Sequence, residues 1–235
     1  MRDGVIEGET MSEGETIKEM KRGAEVGTAF NRALEVYKKN FMPLFLATLL
    51  AIVVGGVTSD ICLPPLLCGV FAMALTALRS SDATLKAGDV FQGFQKFLPS
   101  FVSSLVLGLI SSVVIGVLLA IPLIGWIAAI IAYCAITPAL VAWGLLLVTD
   151  QDATIGAAIS EPLKLLGDKR FWSVVLVTFL AVLIGSLGFL LCGIGIFATL
   201  PFMFCMIAAA YEEAYSEDTN TPTEEAPTPE EPSAS

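Results

Sequence analysis

The chain has 235 residues, 55% of them hydrophobic and only 15% charged, with a net charge of -10. Soluble domains carry about 25% charged residues, and no core of this length hides so much apolar surface, so a second, apolar solvent is implied. The acidic balance argues against a nucleic-acid partner, which needs clustered Lys and Arg.

Residues 1–23 are rich in Glu and Gly and read as a disordered tail. They contain no apolar stretch followed by a small-residue cleavage site, so the first hydrophobic span is expected to serve as an uncleaved anchor. Between residues 24 and 40 the pattern becomes periodic. Val26, Ala29, Phe30, Ala33, Tyr37 and Phe41 recur at helical spacing, with Arg32, Glu35, Lys38 and Lys39 on the opposite face. The spacing predicts an amphipathic helix at a membrane interface.

Six apolar spans follow, at about 41–58, 61–78, 101–120, 124–148, 171–191 and 193–211. Each is close to the ~20 residues that cross ~30 Å of hydrocarbon, and none holds Asp, Glu, Lys or Arg. The short first span also fits a re-entrant hairpin. The turns Ser59-Asp60, Ile121-Pro122-Leu123 and Leu191-Cys192 carry no basic residue, whereas all 13 Lys and Arg fall on the other side. That asymmetry predicts six transmembrane helices with both termini in the cytoplasm, in a cell membrane.

The two internal basic segments repeat the first. Residues 85–98 place Val90, Phe91, Phe94, Phe97 and Leu98 on one face, and residues 153–167 do the same with Ile155, Ala158, Ile159 and Leu166. The fold class expected is therefore an all-α membrane protein of three hairpins, each preceded by an amphipathic interfacial helix. The second helix of each hairpin carries a proline, at Pro65, Pro138 and Pro201. The six-helix domain spans residues 24–215. Residues 216–235 are acidic and Pro-rich and read as a second disordered tail.

The search for chemistry is short. With no His, neither a Ser-His-Asp triad nor a Cys/His zinc site exists, and no phosphate-binding loop or calcium loop is present. No catalytic residue, cofactor or metal ligand is therefore assigned. The carboxylates Asp150, Asp152, Glu212 and Glu213 sit at span ends and read as solvated. Cys62 and Cys192 both fall near the predicted outer face and form the one candidate disulfide. The spans do show packing devices. Ser104, Gly108, Ser112 and Gly116 repeat every four residues and predict a smooth helix-packing stripe. Ala128, Ala132, Ala135 and Ala139 offer a comparable face, as do Gly185 and Gly188. Trp126 and Trp172 fit interfacial anchors, as do Phe30, Phe91 and Phe94 on the amphipathic segments.

Lys39-Asn40-Phe41 leading into the first span, the run Asp89-Val90-Phe91-Gln92-Gly93-Phe94 before the third, and Ile194-Gly195-Ile196-Phe197 with Leu200-Pro201 before the last together carry a resemblance. The organisation resembles bacterial six-helix membrane families of unknown function, which include the membrane domain preceding some glycerophosphodiester phosphodiesterases. The likeness covers roughly residues 24–215, and the phosphodiesterase catalytic domain has no counterpart in it. It implies a bacterial cytoplasmic membrane and no particular activity.

The leading expectation is a non-enzymatic membrane protein that organises or assists partners or lipids. Its partners would be the bilayer itself and a membrane protein or second copy. The alternative is a transporter or channel with a polar cavity lined by Ser103, Ser111, Tyr133 or Thr137. A membrane-surface enzyme would need Asp82, Asp89, Asp150 and Asp152 to converge.

Overall fold

A computed structural model of the protein describes residues 24–80, 83–190 and 195–215. Both acidic tails and Cys192 lie outside the described residues. The described chain is all helical, with no strand.

Helix α1 (Val26–Lys39) has the expected amphipathic period, and Ala29, Ala33 and Val36 are its buried stripe. Lys38 and Lys39 lie in its last turn, where the helix dipole favours cations. The chain then bends by 95° into α2 (Phe41–Val57). Thr58 closes α2 by donating its hydroxyl to the Val54 carbonyl at 2.8 Å, and the same oxygen accepts the Cys62 N–H at 3.3 Å. Ser59 and Asp60 turn the chain with φ of 51° and 64°. Asp tolerates that left-handed region better than most residues because its short side chain bonds locally. Pro64 and Pro65 then open α3 (Leu63–Arg79), where a missing N–H costs nothing.

Residues Ala87–Lys96 wind as a 3₁₀ segment rather than the expected α-helix. Asp89 opens it by accepting the Lys86 N–H at 2.9 Å. Two glycines explain its seat. A Cβ at Gly93 would collide with the Pro65 carbonyl, and one at Gly69 of α3 with the Val90 carbonyl. Backbone thus lies directly on backbone, which only glycine permits.

Helix α4 (Phe97–Leu119) continues without a break, and Leu123, at φ 61°, turns the chain into α5 (Ile124–Ile131). A π turn at Ala132–Ile136 joins α5 to α6 (Thr137–Gln151), making one apolar rod. Pro138 removes an N–H donor at this point, and the widened turn absorbs the mismatch. Asp152, with φ 50°, ends α6, and the Ala153 N–H returns to the Leu147 carbonyl at 3.3 Å. Then come α7 (Ile155–Leu165), α8 (Lys169–Leu190) and α9 (Gly195–Tyr215).

Three of these helical stretches are long and apolar enough to cross a membrane: 87–119, 124–151 and 169–188. The bent pair α1–α2 could add a fourth, and α3 is a shorter apolar helix. The packing follows a cycle. Helix α2 lies on α3, α4 on α6, and α8 on α9, while α3 touches both α6 and α9. The amphipathic elements pack one step back around this ring: the 3₁₀ segment on α3, α7 on α6, and α1 on α9. At the centre Phe71, Trp143, Phe171, Met206 and Tyr211 are fully buried. Trp143 meets Phe171, Tyr211 and Tyr215 ring to ring, at centroid distances of 5.0–6.0 Å.

Helix α3 lies against α6. Cys68 reaches the Leu145 carbonyl, and the long Arg79 side chain reaches Asp150. The turn at Asp60 rests beside Phe101, Ser104 and Leu105, in the early turns of α4. The far end of α4 projects roughly 21 Å beyond it.

Candidate functional site

The most elaborate side-chain chemistry lies where the C-terminal ends of α3, α6 and α9 meet. Arg79 donates from Nε and Nη2 to one Glu212 oxygen, at 2.9 and 2.7 Å, and from Nη1 to Asp150. Tyr211 donates its hydroxyl to the other Asp150 oxygen at 3.3 Å and accepts from Gln151 at 2.8 Å. Its hydrogen bonds to Asp150 and Glu212 push the Arg79 guanidinium further above its usual range. Beside them, Lys96 donates to the Val148 and Thr149 carbonyls at 2.9 and 2.8 Å and pairs with Asp152. It thereby satisfies last-turn carbonyls of α6 that no helix N–H can reach.

This corrects the reading of these carboxylates as solvated. Asp150 and Glu212 are only 15% and 19% exposed and share one guanidinium. Glu213 is 3% exposed and accepts the Glu25 N–H at 3.2 Å, closing α1 onto α9. Asp152, at 72%, is the one of the four that matches the expectation. With their lone pairs engaged, Asp150 and Glu212 join helix ends.

The predicted packing stripe of α4 is also corrected. Ser112 and Gly116 are exposed, and an added Cβ at Gly108 or Gly116 would meet nothing within 4 Å. The buried face of α4 is the neighbouring ridge of Ser100, Ser103, Leu107 and Ser111. The reason lies across the contact. The small residue is Gly144 of α6, and Leu107 fills the notch it leaves, 2.9 Å from where a Cβ would stand. Elsewhere the small residues pack as expected. Ala132, Ala135 and Ala139 are buried and Ala128 is half-buried, and Gly185 and Gly188 lie against Met203 and Thr199. Thr199 also donates to the Gly185 carbonyl at 2.9 Å, a polar tie of the kind that joins membrane helices.

The aromatic residues predicted as anchors fall at surfaces. Phe30 packs edge-on to Phe202 at 5.4 Å while staying partly exposed. Trp126 is exposed at the α4–α5 turn and donates to the Leu119 carbonyl at 3.3 Å. Trp172 lines an outward groove with Ile131, Val175 and Phe179. Phe91 and Phe94 belong to a ladder that the sequence only half revealed. Phe91, Phe94, Phe97 and Phe101 stack in series, with centroids 6.1, 6.3 and 5.8 Å apart.

The residues expected to line a transport cavity differ in their surroundings, with Ser111 buried and Thr137 half-buried. Ser103 is buried and bonded to the Ser100 carbonyl of its own helix, and Tyr133 faces outward. Asp150 and Asp152 lie at the charged end and Asp89 caps the 3₁₀ segment, while Asp82 is outside the described residues. Among the described residues Cys62 has no disulfide partner, and its candidate partner Cys192 lies outside them. Among the described residues, no three His, Cys, Asp or Glu side chains are placed to hold a metal ion. Comparison with known proteins finds no matching family model, no similar curated protein and no similar solved structure.

Proposed function

We propose that the chain is a polytopic membrane protein without a catalytic site, which organises or assists membrane partners or lipids through its outer surfaces. Its apolar helices form three hairpins in the bilayer, of which the first, α2–α3, enters obliquely. The end that joins Arg79, Lys96, Asp150 and Glu212 faces the cytoplasm, together with both termini. The ring of contacts supports this reading, since each amphipathic element packs on the preceding hairpin and the first closes onto the last.

One observation carries the choice between a working surface and a working interior. Between α3, α6 and α9, Phe71, Trp143, Met206 and Tyr211 are fully buried and a cavity of about 150 Å³ is walled by apolar side chains alone, whereas Leu105, Leu109, Val113, Val117, Ile127 and Ile130 stand uncovered on α4 and α5. Uncovered apolar surface on this scale belongs against lipid or another membrane protein. A solute path would instead require polar groups lining a continuous cavity.

Purified protein reconstituted into liposomes tests this directly. Release of small trapped ions and fluorescent solutes should match that of protein-free vesicles. Saturable release that depends on the protein would overturn the reading in favour of transport.

A further inference from the structure

The groove along α8 has a volume of about 420 Å³ and opens sideways. Trp172, Val175, Leu176 and Phe179 recur at helical spacing and form one face of α8. Ile131 and the short side chain of Ala135, where α5 joins α6, face them across the groove. The wall is therefore apolar except for the Trp172 indole N–H. Lys169 stands one helical turn before Trp172 on the same ridge and is exposed. Among the described residues, neither the Lys169 ammonium nor the Trp172 N–H has a hydrogen-bond or ion-pair partner. Asp168, the carboxylate of this turn, accepts the Arg170 N–H at 2.9 Å and so caps the helix. With Lys169 and Arg170 beside it, the turn keeps a net positive charge.

The depths agree with one another. In the proposed orientation α8 enters the bilayer from the cytoplasm at Lys169, and Phe179 lies roughly 15 Å further along its axis. A free cation thus stands at headgroup level, an unused N–H donor just beneath it, and the apolar groove within the hydrocarbon.

We infer that this face of α8 binds an anionic glycerophospholipid of the cytoplasmic leaflet, its phosphate held by the Lys169 ammonium and the Trp172 indole N–H and one acyl chain lying in the groove. Each group has its complement. The ammonium and the indole N–H only donate, and phosphate oxygens accept. The long Lys169 stem lets its charge reach the headgroup while its methylenes lie along the helix. Methylenes of the chain cover Val175, Leu176 and Phe179. A choline headgroup places its own cation beside Lys169 and is disfavoured.

The test uses the full chain, purified in detergent, with lipid binding read by native mass spectrometry. Phosphatidylglycerol and phosphatidylcholine with the same acyl chains are the probes. The wild-type protein should bind phosphatidylglycerol about fivefold more tightly, as one interfacial cation provides. Lys169→Gln should bring the two lipids to parity, and Lys169→Arg should keep the preference. Lys38→Gln, which removes a cation from α1, should leave it unchanged. Trp172→Phe keeps a ring but loses the donor, and should weaken both lipids about threefold. Leu176 is half exposed, so Leu176→Trp fills the groove from its rim and should weaken both about tenfold. Millimolar glycerol 3-phosphate, which has the phosphate without a chain, should not displace the lipid. Equal binding of the two lipids by the wild type, a preference that survives Lys169→Gln, or an equal loss on Lys38→Gln would overturn the inference. So would displacement by glycerol 3-phosphate, or unchanged binding in both Trp172→Phe and Leu176→Trp.

The inference rests on the proposed residence in a bilayer, and carbonate extraction separates the two. A carbonate-resistant protein without headgroup preference refutes the lipid site alone. A protein that carbonate removes from membranes refutes both.

Discussion

The α8–α9 pair and helix α4 both carry glycines at helix-packing spacing, yet their surroundings are opposite. Gly185 and Gly188 are closed by Met203 and Thr199, and Thr199 ties the two helices with a hydrogen bond. Gly108 and Gly116 look into open space, and α4 packs through Leu107 instead. A glycine spacing therefore marks where helices can approach. A contact also needs a partner side chain shaped to enter the notch. On α4 the roles are exchanged, because the notch belongs to Gly144 and the knob to α4.

Four single substitutions and one double-mutant background, read by thermal unfolding in one detergent, break or sharpen this contrast. Gly188→Ala should have the largest effect, about 3 kcal/mol of destabilisation, because its Cβ would strike both the Thr199 hydroxyl and the Gly195 backbone. Leu107→Ala should cost about 2 kcal/mol, from packing lost at the Gly144 notch. Arg79→Ala should cost about 1 kcal/mol, since its guanidinium is partly exposed and solvent screens the pair. Its signature is coupling: after Glu212→Gln the same change should cost less. Gly108→Ala should have the smallest effect and the opposite sign, a gain of about 0.5 kcal/mol from helix propensity alone. A cost at Gly108 as large as that at Gly188 would show that a second copy covers the stripe.

The positions of the helices were legible because long apolar runs leave few alternatives. The amphipathic period of α1 was equally plain, as Ala29, Ala33 and Val36 show. The 3₁₀ winding of residues 87–96 was not. Its signal was the i, i+3 spacing of Phe91, Phe94 and Phe97, which aligns side chains in a three-residue turn and also fits an α-helix face. The Arg79 network was invisible because its partners stand 71 and 133 residues away, and charges at span ends look solvated until tertiary structure pairs them. The stripe on α4 was misplaced by one position because spacing describes a single helix, whereas packing involves two.

Bilayer insertion in the proposed orientation is the claim on which the rest depends, and reporter fusions test it most directly. A phosphatase active only outside the cytoplasm and a fluorescent protein that folds only inside would be fused in turn after Lys86, Leu123, Asp152 and Tyr215. The account predicts phosphatase activity at Leu123 alone and fluorescence at the other three. Phosphatase activity after Lys86 or Asp152, or fluorescence after Leu123, would contradict it.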